Sequence, residues 1–344
     1  NKIFDSKKGV PAKTYGKWGG FINDVDKFDP LFFNISPGEA DFLDPQARLF
    51  LEAVWHTMED AGYTRAALGK SKVGVFVGVM YSMYELFDGE LKNTRVPVAS
   101  SFSAIANRVS YFMNFTGPSI AVDTMCSSSL TALHLGCESI KNGMCECAFV
   151  GGVNLTVHPN KYLLLSQGHF LSTDGRCKAF GKDGDGYVPG EGVGAVMLKP
   201  LSKAVEDKDN IYAVIKGSSI NACGKTNGFT VPSPKIQAQL IKEALKRADV
   251  KAESISCIEA HGTGTSLGDP IEIQGLSSAF AETTQAKQFC SIGSVKSNIG
   301  HLESAAGIAA VTKVALELKN HKLVPSLHSE DLNPYIHFEN TPFY

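Results

Sequence analysis

The sequence predicts an α/β fold whose chemistry gathers at the carboxyl ends of its strands. Apolar, β-prone stretches alternate with stretches of helical period along the 344 residues. Three of the apolar stretches run straight into a residue capable of catalysis. Ser119-Ile120-Ala121-Val122 leads to Cys126, Ser256–Ala260 to His261, and Phe289–Val295 to Lys296 and His301. Open α/β sheets bind ligands beyond the carboxyl ends of their strands, so three such junctions predict one shared pocket.

The elements follow in order. Asp44 caps a helix, Pro45 suits its first turn, Phe50, Val54 and Met58 share one face, and Gly62 ends it. Val73 to Met80 reads as a buried strand. After Ser119–Val122, the spacing of Leu130, Leu133, Cys137 and Ile140 predicts a helix from Ser127 to about Lys141. Ala148–Val153 and Gly194–Leu198 are further strands. A second strand–helix series opens at Ile211–Gly217 and continues through a helix near Lys235–Ala248. The His261 and Lys296 strands follow, then a helix near Glu303–Leu318. That last helix is rich in small residues, which permits close packing inside a layered fold.

Cys126 thus stands at a strand-to-helix junction. Unpaired N–H groups and the positive end of the helix dipole favour a thiolate there. The same N–H groups suit the oxyanion of an acyl-transfer intermediate. On the bland reading Cys126 is one more buried, inert cysteine; the two similar junctions at His261 and His301 favour a nucleophile.

Composition narrows the class. The chain is 43% hydrophobic and 20% charged with a formal net charge of −2, which gives no reason to expect nucleic acid or anionic membrane as a partner. No apolar run approaches the roughly 18 residues of a membrane span, and the N-terminus does not read as a signal peptide. The eight cysteines form no short disulfide framework, so a reducing cytoplasm is the simplest expectation. Cys145-Glu146-Cys147 lacks zinc-finger spacing and a histidine pair, and no metal site is assigned.

Asp123-Thr-Met-Cys126-Ser-Ser-Ser, His261-Gly-Thr-Gly-Thr265 and Lys296-Ser-Asn-Ile-Gly-His301, in this order and context, resemble the three signature motifs of the β-ketoacyl synthases. These are the condensing domains of fatty-acid and polyketide synthases. The resemblance runs from Lys17-Trp-Gly-Gly-Phe21 to Pro342-Phe-Tyr344 and is nearest to the ketosynthases of modular polyketide synthases. Met125 and Gly224-Lys-Thr-Asn-Gly-Phe-Thr-Val-Pro232 look like the branch whose acyltransferase is a separate protein.

The resemblance implies a thiolase fold, two fused α/β halves in a layered α-β-α-β-α architecture. The expected halves are about 1–205, with the nucleophile, and 206–344, with both histidines. It implies an acyl chain held on Cys126 and an enolate stabilised by His261 and His301. Lys296 would tune the local field, partnered by Asp269 and Glu272. Thr263 and Thr265 would contact a phosphopantetheine arm, and Met125 and Phe229 would line the acyl pocket. No intrinsic cofactor is expected, since substrates arrive on the phosphopantetheine of an acyl carrier protein. The expected partners are carrier-protein domains, neighbouring synthase domains, a separate acyltransferase, and a second copy paired near Pro118–Val122. The family's first core strand, before Lys17, and its Gly-rich loop, beyond Tyr344, are not found in the sequence.

Other functions are weighed by the same residues. Non-elongating ketosynthases often lose the histidine of the His-Gly-Thr-Gly-Thr motif, and His261 is present. An inactive dimeric scaffold would lack Cys126, and a loading domain would typically carry Gln there. A thiolase would need a second catalytic cysteine. Among bland features, His134 lies eight residues beyond Cys126, roughly 12 Å along a helix, and reads as a satisfied core histidine. His56, His158, His169, His321, His328 and His337 receive no role. Asp183–Gly186 fails as a calcium loop, and glycines 181–194 miss the dinucleotide pattern. That segment reads as a close-packed loop bordering the site.

Overall fold

The computed structural model of the chain describes residues 3–89, 100–228 and 230–344. Asp44 Oδ1 accepts the Gln46 N–H at 2.8 Å, and the helix Pro45–Asp60 (called α2, after a short α1 at Pro37–Phe42) runs from that cap. Its Phe50, Val54 and Met58 are buried as the period requires, and Gly62 follows with φ +76. A single turn, α3 (Arg65–Leu68), leads to the strand β1 (Val73–Gly78). Next come α4 (Phe102–Met113), β2 (Ser119–Val122), α5 (Ser128–Lys141), β3 (Cys147–Asn154), α6 (Asn160–Gln167), β4 (Gly192–Leu198) and α7 (Leu201–Glu206).

These strands form one sheet in the order β2-β1-β3-β4. β1 runs parallel to β2 and β3, with Val75 opposite Ser119 and Phe149, while β4 is antiparallel to β3. Alternation along β1 serves two cores, as a strand covered on both faces must. Val75 and Val77 pack with α2 and α4, including Phe50, Val54, Ile105 and Val109. Phe76 points to the other face and packs with Ala132 and Leu133 of α5.

The second half supplies α8 (Pro234–Ala248), β5 (Cys257–Glu259), α9 (Gly268–Phe280), β6 (Ser291–Gly293), the short α10 (Lys296–Ile299) and α11 (Ala306–Asn320). β5 and β6 pair in parallel, with Ile258 opposite Ile292. Ile258 and Ile292 share a core with Ile241 and Leu245 of α8 and with Ile273, Leu276 and Phe280 of α9. α11 lies between the sheets. Ser129 Oγ of α5 accepts the Ile308 N–H at 3.0 Å, and Lys313 pairs with Glu259 of β5 at 2.5 Å. The layers are therefore α2 and α4, the first sheet, α5 and α11, the second sheet, then α8 and α9.

One predicted element differs. Residues 211–217 carry no strand assignment, and Ile211, Val214 and Ile215 are exposed. β-Propensity makes a residue fit a pleated surface; it does not supply a neighbouring strand, and none pairs here among the described residues. All eight cysteines are free thiols. No helix among the described residues is long and apolar enough to cross a membrane.

Candidate active site

A tight turn carries β2 into Cys126. Met125 adopts φ +58, and Thr124 and Cys126 bridge around it. Asp123 Oδ1 accepts the Met125 N–H at 3.0 Å, and Ser128 Oγ accepts the Thr124 N–H at 2.9 Å. The Ser128 hydroxyl also meets the Val79 carbonyl at 3.0 Å, tying the start of α5 to the end of β1. Gly78 makes that approach possible, because a Cβ there would lie 2.4 Å from the Ser129 backbone nitrogen.

Opposing influences meet at the Cys126 thiol. The residue sits just before the N-cap Ser127, as the sequence suggests. Burial nevertheless pushes its thiol up to about 11; Glu303 adds to the rise, while Lys296, its own backbone N–H and Lys161 oppose it. Desolvation penalises the charged form, against the stabilisation that Lys296 and the helix terminus offer a thiolate.

His261 follows β5 and is held from α9. Glu272 accepts the N–H groups of His261 and Gly262 at 2.7 and 2.8 Å, and Asp269 accepts those of Phe180 and Gly264 at 2.7 and 3.2 Å. Burial pushes the Asp269 carboxyl up to about 7, partly offset by its backbone donors. The hydroxyls of Thr263 and Thr265 lie 3.3 Å apart, and Thr265 Oγ1 accepts the Gly268 N–H at 3.1 Å. Across this loop runs the glycine-rich segment. Asp185 bridges Thr265, and the Gly186 N–H reaches the Gly264 carbonyl at 3.3 Å. It borders the site as a packed structural loop.

His301 is fixed by the same segment. Its N–H donates to Val188 O and its carbonyl accepts from the Gly190 N–H, both at 2.8 Å. The preceding Gly300 has φ +80, and a Cβ there would meet Val188 O at 2.8 Å, so only glycine fits. His301 Nδ1 accepts the Glu303 backbone N–H at 2.9 Å. In a neutral ring that assigns the proton to Nε2. His301 is only 1% exposed, and its buried Nε2 has no hydrogen-bond partner among the described residues.

The His261 and His301 rings stand edge to face with centroids 5.3 Å apart. His261 keeps an open side toward solvent but is otherwise enclosed. That enclosure, with the Lys296 charge, holds its imidazole well below the usual range. His301 is pushed down in the same way by burial, Lys296, His261 and Lys161. Both rings are neutral at pH 7.

Lys296 opens α10 and is buried. Burial lowers its ammonium, and the nearby Glu272, Glu259, Cys126 and Cys177 act against that. It acts electrostatically on Cys126, His261 and His301 together, so the four residues share one site. The expected partnership with the carboxylates is seen electrostatically for Glu272. Glu272 is the foremost of the charges that support the Lys296 ammonium, and neither it nor Asp269 forms a direct ion pair with Lys296 among the described residues. Both carboxylates are committed to backbone N–H groups of the His261 loop and its neighbour.

His134 Nδ1 shares a 2.9 Å hydrogen bond with Ser218 Oγ, the satisfied core histidine expected. Met125 is 55% exposed beside Cys126, on a left-handed backbone. Phe229 lies outside the described residues. Sequence reasoning missed Glu303, Lys161 and Tyr187, which surround His301. A lysine at position 161 amid Tyr162 and Leu165 was the available signal. A groove of about 610 Å³ is lined by Val193 of β4 and by Val295, Leu302, Ile308, Thr312 and Leu316, and not by Cys126, His261, Lys296 or His301 themselves.

The family model of the β-ketoacyl synthase N-terminal domain matches residues 1–204, and that of the C-terminal domain matches 212–330. The chain is 61% identical to polyketide synthase PksL of Bacillus subtilis over 349 residues, covering 99% of the chain and 8% of PksL. It is 59% identical to polyketide synthase ThaG of Burkholderia thailandensis over 344 residues, covering 99% of the chain and 6% of ThaG. Among solved structures, the Streptomyces albus oxazolomycin ketosynthase domain OzmH KS7 superposes with TM-score 0.97 at 54% identity, covering all of this chain and 62% of that one. The ketosynthase from module 6 of the Bacillus subtilis bacillaene synthase superposes with TM-score 0.94 at 45% identity, covering all of this chain and 58% of that one. The layered architecture is thus the thiolase fold of the ketosynthases, and the chain belongs to the β-ketoacyl synthase family.

Proposed function

We propose that this ketosynthase extends a carrier-bound polyketide chain by decarboxylative condensation. The observation that carries this is the pair of neutral imidazoles, with a buried His301 Nε2–H that no described protein group accepts. An unpaired buried donor costs stability, and a substrate carbonyl oxygen would satisfy it.

In the first half-reaction the Cys126 sulfur attacks the thioester carbonyl of an acyl carrier protein. A new C–S bond forms, the carrier's C–S bond breaks, and the thiol proton ends on the departing sulfur. Malonyl carrier protein then enters, its phosphopantetheine arm passing Thr263 and Thr265. Its C–C bond to the carboxylate breaks, carbon dioxide leaves, and the electron pair moves into the thioester as an enolate. His261 and His301 donate hydrogen bonds to that developing oxyanion. The enolate carbon attacks the acyl carbonyl, the bond to Cys126 breaks, and the sulfur regains a proton. Lys296 keeps the imidazoles neutral and favours the thiolate as it is released. Asp269 and Glu272 brace the His261 loop.

This chemistry needs no intrinsic metal or organic cofactor. The assembly we propose includes carrier-protein domains, neighbouring synthase domains, a separate acyltransferase and a second copy of the chain, in the cytoplasm. Intact-protein mass after incubation with an acyl-carrier thioester tests the first step. An acyl adduct is expected on the wild type and not on Cys126→Ala, and adding malonyl carrier should discharge it as a product two carbons longer. An adduct that forms but is never elongated would favour acyl transfer without condensation. No adduct on folded protein would favour a scaffold.

A further inference from the structure

Behind His301 lies an ion pair that the chemistry above leaves unused. Lys161, in the first turn of α6, and Glu303, two residues after His301, are both fully buried and meet at 2.5 Å. Two charges withdrawn from water are costly unless every hydrogen-bonding group is matched. Lys161 Nζ also donates to Asn154 Oδ1 at 2.7 Å and to Leu155 O at 3.3 Å, whereas Glu303 Oε2 has the ammonium beside it but no aligned hydrogen bond among the described residues. Such a pair is not needed to fill the space, because apolar side chains of similar volume often serve stability as well.

Its connections all lead to one ring. Glu303 has φ +47, an uncommon and strained conformation for a glutamate. In that conformation its N–H reaches His301 Nδ1. Its side chain accepts the Tyr187 hydroxyl at 3.3 Å, and the Tyr187 ring packs on His301 with centroids 4.8 Å apart. On the other side Asn154, held by Lys161, donates to Gly190 O at 2.7 Å, and the Gly190 N–H holds the His301 carbonyl.

We propose that Lys161 and Glu303 are positioning residues for His301: their pairing holds Glu303 in its left-handed conformation, so that its N–H keeps His301 Nδ1 an acceptor and Nε2–H facing the site. The proposal rests on the two-histidine chemistry above and deepens it. A second consequence is electrostatic. Cys126 is faced by Glu303, Lys296 and Lys161, and it interacts with the Tyr81 and Tyr187 hydroxyls; His261 and His301 join the same site as neutral rings. Removing the Glu303 charge should ease ionisation of Cys126, and removing the Lys161 charge should hinder it.

The test compares wild type with Glu303→Gln, Lys161→Met and the double variant. Each single variant leaves one buried charge unpaired and should melt several degrees lower, while the double variant should recover most of that loss. Single-turnover condensation should fall about 100-fold in all three, the scale expected when a reacting group is displaced by about an ångström. Acylation of Cys126 should persist. The pH midpoint of Cys126 alkylation should move down in Glu303→Gln and up in Lys161→Met. Nitrogen-15 spectra of the histidine rings should show His301 protonated at Nε2 in wild type and a mixture of tautomers in the variants.

Condensation that recovers with stability in the double variant would reduce the pair to scaffolding and overturn the proposal. So would a wild-type His301 protonated at Nδ1, a result independent of whether any variant folds. A wild type that acylates but never condenses would sink the condensing function instead, while the tautomer spectra still decide the positioning role.

Discussion

At Cys126, burial and the neighbouring helix terminus act in opposite directions on the thiol. A thiol pushed up to about 11 has a thiolate fraction that grows about tenfold with each pH unit below that value. Iodoacetamide labelling of Cys126 should therefore accelerate about 100-fold between pH 7 and pH 9. A plateau below pH 8 would show that the helix N-terminus outweighs desolvation. The junction at Cys126 was legible in the sequence but its burial was not, because the depth of a turn depends on segments far away along the chain. Glu303, Lys296 and Lys161 belong to the missing information, since they reach Cys126 only in the folded site.

At the scale of elements, the motifs were legible because each lies on a short strand whose end is fixed locally. α2, with its Asp44 cap and its Phe50, Val54 and Met58 face, was readable for the same reason. What escaped were features made by contact between segments. Residues 211–217 look like a strand by composition but find no ladder partner among the described residues. The carboxylates of Asp269 and Glu272 were expected beside Lys296; Glu272 does act on it, and both also hold backbone N–H groups that the sequence did not show. Gly300 shows how strict such contacts are. With φ +80 and Val188 O 2.8 Å from any added Cβ, Gly300→Ala should destabilise the domain by about 1–3 kcal/mol. It should also slow condensation more than acylation, because His301 is the next residue. Unchanged melting and unchanged condensation would show that the turn relaxes freely.

At the scale of the whole molecule, β2 forms an edge of the first sheet. Its Ile120 is 40% exposed, and Tyr111, Met125 and Leu130 are exposed nearby. An apolar sheet edge with unpaired backbone groups invites another chain, which supports the proposed pairing of two copies near Pro118–Val122. Light scattering should show a dimer for wild type and a shift toward monomer for Ile120→Asp, with the fold retained by circular dichroism. A wild-type monomer at micromolar concentration would contradict the pairing.

The measurement nearest the central claim is single-turnover mass spectrometry of the acylated domain mixed with malonyl carrier protein, for wild type, His261→Ala and His301→Ala. All three should carry the acyl group on Cys126. Wild type should discharge it as a β-ketoacyl carrier product, and each histidine variant should retain it with condensation slowed at least about 100-fold, the scale of one lost oxyanion donor. Histidine variants that discharge the acyl group at the wild-type rate would contradict the assignment of the two imidazoles as donors to the enolate.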